Sequence, residues 1–170
     1  GTTTGFDVVA NATGMRVDVN MLKWTKPKGD GLSVVAKGTL EKKAGGVSPT
    51  VAFTALKMDG KNVLVQGIAT LDPALSQSRV NLSAFILGET NARLMWDGQT
   101  FLVRGKQFDT RGFDTDSNDA KPLPDFKVDI DVQGLIMAKG RMENAKISLT
   151  NMNDVMDIGG VVGSINGQPV

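Results

Sequence analysis

The side chains in this sequence best suited to chemistry are carboxylates, and two groups of them sit close enough to act together. Asp109, Asp114, Asp116 and Asp119 cluster around one polar stretch. Hard cations such as Ca²⁺ take oxygen ligands, so a metal loop is the sharp reading. The spacing lacks the full calcium-loop pattern, and a solvated acidic loop is the simpler one. Asp129 and Asp131 are two positions apart. A glycosidase-like acid pair needs one carboxyl desolvated in a cleft. Here both alternate with apolar residues, which puts them on the exposed side of a strand.

Other chemistry is excluded by missing residue types. The chain has no His and no Cys. The commonest general base and the thiolate nucleophile are gone, and so are the commonest transition-metal ligands. Glycines are plentiful, but none stands in a phosphate-loop spacing ending in Lys-Ser/Thr. Lys23, Lys26 and Lys28 gather beside Trp24, which reads as a solvated turn ahead of a phosphate contact. Asn11-Ala12-Thr13 and Asn81-Leu82-Ser83 match the glycosylation sequon, a tripeptide common by chance. The sequence calls for no metal, no cofactor and no catalytic residue.

Composition narrows the partners. The 170 residues carry 19 Lys+Arg against 18 Asp+Glu, a net charge of +1. Such a balance gives little electrostatic draw toward nucleic acid. With seven Phe, two Trp and no Tyr, a base-stacking platform is not expected. Apolar residues make up 41%, too many for a disordered chain. No run approaches the roughly 20 apolar residues of a membrane helix. The first five residues carry neither a basic nor an apolar leader region. A start at Gly1 without Met points to a piece of a longer chain.

The elements that would position these side chains are strands. Phe126-Lys127-Val128-Asp129-Ile130-Asp131-Val132-Gln133 alternates without a break, the mark of a strand with one buried face. The same period runs through Val80, Leu82, Ala84 and Ile86 against Arg79, Asn81 and Ser83, and through Ala145, Ile147 and Leu149 against Lys146 and Ser148. Strands are expected near 6–12, 15–20, 32–41, 50–58, 62–71, 78–87, 91–96, 100–106, 126–136, 142–151 and 155–166. Asp59-Gly60-Lys61-Asn62 and Asp97-Gly98-Gln99 are Asp-Gly turns, and Lys43 to Gly46, Gly88 to Asn91 and Met137 to Gly140 read as turns too. Successive strands should therefore be antiparallel neighbours. Helix is scarce: one turn over Val19–Trp24, and another within Phe108–Asp116. Asp114 to Pro124 is polar and holds two prolines, the signature of a linker. It divides the chain into a curled antiparallel unit (1–108), a short helix and linker (109–124) and a second unit continuing the sheet (125–170). Val65-Gln66-Gly67 and Val132-Gln133-Gly134 hint at a duplication, although chance similarity between strands suffices to explain it.

The expected class is all-β. A sheet with one apolar face must cover that face, curl upon it, or bind something apolar. No long amphipathic helix is available as a cover. A closed sandwich or barrel and an open, curled groove both remain.

The order of features from Val17 to Phe113 resembles the AsmA-like superfamily of bacterial envelope proteins, in particular its large YhdP-type members. The residues carrying the likeness are Met21-Leu22-Lys23-Trp24-Thr25-Lys26-Pro27-Lys28-Gly29, then Val63 to Asp72, then Leu82 to Asn91, then Phe101 to Asp109. The resemblance covers about 100 residues and continues loosely to Val170. It rests on the order of degenerate motifs. One departure is that this segment holds no membrane helix, whereas family members are anchored in the inner membrane near the N-terminus. The resemblance implies a long, twisted, U-shaped sheet with a hydrophobic groove. It implies a periplasmic, non-catalytic role in moving phospholipid between membranes or in outer-membrane assembly, with other envelope proteins as further partners and no nucleic acid. The candidate groove residues are Val65, Ala69, Leu71, Val80, Leu82, Ala84, Ile86, Leu94, Phe101, Val103, Val128, Ile130, Val132, Ile147 and Leu149. The rival expectation is a structural or adhesin-like β module that binds protein partners by its edges or loops. A polysaccharide-active enzyme comes last, since it needs two converging carboxyls.

Overall fold

A computed structural model describes residues 1–19, 24–42, 45, 48–112 and 124–170. The chain is nearly all β. Its strands are β1 (Thr2–Asn11), β2 (Val17–Val19), β3 (Trp24–Lys26), β4 (Leu32–Lys42), β5 (Thr50–Gly60), β6 (Val63–Leu71), β7 (Arg79–Leu87), β8 (Thr90–Trp96), β9 (Thr100–Asp109), β10 (Phe126–Met137), β11 (Gly140–Met152), β12 (Val155–Ile165) and β13 (Gln168–Pro169). A single sheet takes eleven of them in the order β1-β4-β5-β6-β7-β8-β9-β10-β11-β12-β13. The expected meander is therefore present, and the sheet is not closed into a barrel.

Short polar turns set most of this order. Gly60 is followed by Lys61 and Asn62, and Asn62 takes a φ of 57° before β6 returns antiparallel to β5. Asn153 and Asp154 both have positive φ between β11 and β12. That pair of left-handed residues matches the right-handed twist of the flanking strands.

The meander breaks in two places. The β2–β3 hairpin (Val17↔Lys26, Val19↔Trp24) forms a separate two-stranded sheet between β1 and β4. A helical turn over Val19–Trp24 is thereby corrected at both its ends, which are paired strands; residues 20–23 lie outside the described residues. The second break is the parallel pairing of β9 with β10, Phe101 opposite Val128 and Val103 opposite Ile130. Antiparallel neighbours need only a tight turn, whereas a parallel neighbour needs a connection of a dozen or more residues. Residues 110–125 supply that length. The start of the expected Phe108–Asp116 helix is corrected likewise: Phe108 and Asp109 end β9, and Arg111 and Gly112 form a turn. Residues 113–116, and most of the Asp114–Pro124 linker, lie outside the described residues. The only helical element described is a 3-10 turn at Leu75–Gln77, which the alternation did not reveal.

Local irregularities bend the sheet. The register shifts between Gln66 and Gly67 on β6, across Ser83 and Ala84 on β7, between Asn91 and Ala92 against β9, and between Glu143 and Lys146 on β11. Each such bulge adds an unpaired residue, bends its strand and increases the twist. Glycine makes the bends possible at close quarters. A Cβ at Gly67 would lie 2.1 Å from the Asn81 carbonyl oxygen, and one at Gly105 would lie 2.7 Å from the Ala92 Cα. Of the two Val-Gln-Gly stretches noted in the sequence, the one in β6 falls on a register shift, whereas β10 keeps constant register with both neighbours through Val132 and Gly134.

Candidate functional site

The apolar face of the sheet is the feature on which the expected function depends. Register fixes which residues share it. Val65 faces Phe85, Ala69 faces Val80, Leu82 faces Leu94, Leu94 faces Val103, Val103 faces Ile130 and Val132 faces Ala145. All of these but Ala69 join one continuous apolar cluster with Ala92, Phe108, Leu135 and Met142. Val103 and Ala145 are fully buried. With no helix layer among the described residues, that burial comes from the sheet bending around its own apolar face. This is the inner face.

The candidate groove residues divide on this geometry. Val65, Ala69, Leu82, Leu94, Val103, Ile130 and Val132 are buried on the inner face. Val80, Phe101, Val128 and Ile147 are partly buried against the same cluster, and Leu149 is half-buried beside them. Leu71 sits exposed at the end of β6. Ala84 and Ile86 are placed differently. The bulge at Ser83 and Ala84 shifts the phase of β7, so that Leu82 and Phe85 share the inner face. Ala84 then pairs with Gln66 and Ile86 with Leu64 on the opposite, outer face. Strict alternation misses this because one extra residue reverses every side chain beyond it.

The inner face is thus packed at its centre and open toward the margin. Along β12, Ile158 is 61% exposed and Met156 54%. Val161 and Ile165 are exposed as well. At one end the inner face is roofed. Trp24 from β3 and Ala12 pack on the buried Leu32, Val63 and Leu87. Lys26 holds this roof in place: it is buried, and its Nζ donates to the carbonyls of Met15 (2.7 Å) and Pro27 (2.9 Å). A solvated basic cluster is therefore corrected at Lys26, while Lys28 is exposed and Lys23 lies outside the described residues.

The outer face carries cross-strand ion pairs. Lys37 meets Asp7 (2.9 Å), Arg104 meets Asp129 (3.0 Å) and Lys146 meets Asp131 (3.7 Å). The Asp129/Asp131 pair thus stands on the exposed side, each member beside a cation. Such exposed pairs contribute about 0–1 kcal/mol each and mainly keep the face wet. Among the expected metal ligands, Asp109 is buried and accepts from Arg111, whose Nη2 also reaches Glu89 (2.6 Å). The Asp109 hydrogen bonds, then the charges of Asp109 and Glu89, hold the Arg111 guanidinium above its ordinary pKa. Asp114, Asp116 and Asp119 lie outside the described residues. No group of three or more potential metal ligands occurs among the described residues.

Of the groups that titrate near the carboxylate range, Asp97 is the clearest case. Its carboxylate accepts from the backbone N–H groups of Thr100 (2.7 Å) and Gln99 (3.0 Å), which holds its pKa below the usual range. It closes the β8–β9 turn. Asp18 is lowered too, first by its hydrogen bond from Arg16 and then by Thr25.

The fold and this face together define an open, curled, mostly antiparallel sheet with an apolar inner side. Comparison with models of protein families, with curated proteins and with solved structures found no match for the chain. No helix among the described residues is long and apolar enough to cross a membrane.

Proposed function

We propose that this chain is a non-catalytic segment of an AsmA-like envelope protein, whose curled sheet shields phospholipid acyl chains in a bacterial periplasm. On this reading it serves lipid passage between membranes and outer-membrane assembly, and the parent protein is anchored in the inner membrane outside this segment. The supporting observation is the inner face of β12. It continues the apolar lining past Ile147 and Leu149, lies under no second layer among the described residues, and leaves Met156, Ile158 and Val161 accessible. An acyl chain laid there gains about 0.8 kcal/mol for each CH₂ removed from water. The charged outer face stays solvated, and passive shielding needs no nucleophile.

The test is photo-crosslinking from Ile158 or Val161, with Val103 as the buried comparison, followed by mass spectrometry of protein purified from cells. Lipid adducts at the β12 positions and none at Val103 are expected. Absence of adducts at both Ile158 and Val161 overturns the reading.

A second reading is favoured by the same strand's backbone. β13 pairs with β12 at Ser164 and Ile165, and the Val170 N–H donates to the Gly163 carbonyl, so no strand pairs with that edge from Val155 to Val162 among the described residues. An extended segment of a protein partner could add there as a further strand. Protection of the 155–163 amides from hydrogen exchange by an envelope protein, without lipid adducts, is the outcome that selects it.

A further inference from the structure

The outer face is ion-paired over much of its area, but not across the lower parts of β5 to β8. There Ile68 is 52% exposed and Met95 43%, and both line a half-open cavity of about 500 Å³. Its floor is the stretch of adjacent strands at Phe53, Ala69, Val80 and Trp96, whose partners in register follow one another across the sheet. One wall is the row Ile68, Asn81, Met95, and the other is the row Ala52, Thr70, Arg79, Asp97. The cavity is therefore a trough running across the strands, one side-chain row wide. From β5 to β8 it spans three inter-strand spacings, about 14 Å.

The charges on its rim are engaged with the protein's own backbone. Arg79 Nη1 donates to the carbonyls of Ser76 and Ser78, both at 2.7 Å. Asp97 accepts from the two turn N–H groups described above. What the trough offers an occupant is thus mainly the apolar surface of Ala52, Ile68 and Met95 with the Thr70 methyl, along a narrow, straight path that passes the Asn81 amide between Ile68 and Met95. We propose that this trough binds a single linear aliphatic chain, laid across β5 to β8 on the face opposite the inner lining. The site stands independently of the reading of the inner face. A free single-chain amphiphile and the acyl chain of a phospholipid share the required chemistry.

The test is methyl NMR on the full chain, with Ile and Met methyls labelled and 1-decanol as the probe. Saturable shifts of the Ile68 and Met95 methyls are expected. Ile68→Asn, followed at Met95, and Met95→Gln, followed at Ile68, should each raise the dissociation constant about tenfold. Both positions are half-exposed, and amide spectra confirm that each variant is folded. Phosphatidylcholine vesicles form the second arm: the same shifts there assign the chain to a bilayer lipid, and shifts with decanol alone assign it to a free amphiphile. Unmoved Ile68 and Met95 methyls at decanol saturation overturn the proposal. Shifts confined to Ile158 overturn it while leaving the inner-face reading intact.

Discussion

Replacing Gly67 by Ala tests whether the bulges set the shape of the sheet. The new Cβ would stand 2.1 Å from the Asn81 carbonyl oxygen and 2.7 Å from the Leu82 Cα. Both are backbone atoms of the neighbouring strand, so no side chain can swing aside. The β6–β7 pairing must open locally. Overpacking of this kind costs about 1–3 kcal/mol, and each ladder hydrogen bond lost nearby adds about 1 kcal/mol. A total of about 3 kcal/mol lowers the melting temperature of a protein this size by roughly 6–12 °C. Gly160→Ala is the control, because nothing lies within 4 Å of its added Cβ. It should leave stability unchanged or raise it by about 0.4–1 kcal/mol. Urea unfolding followed by Trp fluorescence, with thermal melts by circular dichroism, measures both variants. A Gly67→Ala melt within about 1 °C of the parent would refute the reasoning, since the predicted clash is with backbone.

Leu82→Ser should destabilise by about 2–4 kcal/mol, whereas Ala84→Ser should stay within about 0.5 kcal/mol; equal effects in urea titration would place both on one face. Lys26→Met leaves the Met15 and Pro27 carbonyls without their buried donor, at a cost of about 1–3 kcal/mol, and amide exchange in β2 and β3 should accelerate. The Asp97 carboxyl should titrate below ordinary aspartate in an NMR pH series. Its contribution to the β8–β9 turn is complete above the unfolded value of about 3.9 and is lost as pH falls through the lowered folded value. An ordinary midpoint for Asp97, or an unchanged acid limb in Asp97→Ala, counts against the cap.

Much of the fold was legible because each strand has to hide one face. The run from Phe126 to Val132 alternates as read, and its residues face Ile147, Leu149 and Ala145 in register. The turn within Met137 to Gly140 falls where it was expected, and the one expected as Asp59-Gly60 lies a step later at Lys61-Asn62, where Asn62 and not Gly60 takes the positive φ. Alternation failed wherever a bulge intervened. Ala84 and Ile86 were assigned to the lining, and Phe85 was missed, because nothing in Leu82-Ser83-Ala84-Phe85 announces an extra residue. The strand glycine in Gln66-Gly67, opposite that stretch of β7, was the available clue. Lys26 was misread for a different reason. A lysine among basic neighbours looks solvated, and only the return of Met15 and Pro27 around it supplies acceptors for the buried ammonium. The parallel β9–β10 pair was hidden because the sequence records the length of the connection and not its destination.

That parallel pair has a kinetic consequence. The other pairings of the large sheet are antiparallel, and most join strands linked by a few residues. Such hairpins close on the microsecond scale once both strands are free to fold. Strand β9 must instead wait for residues 126–137, which cannot dock until the whole 110–125 segment has been made. Non-local pairing of this type is slower, because the loop must close before any contact rewards it. Until then, the edge of β9 from Thr100 to Asp109 stands open beside a half-formed apolar face. A stalled or truncated chain would present that edge to its neighbours as a template for aggregation.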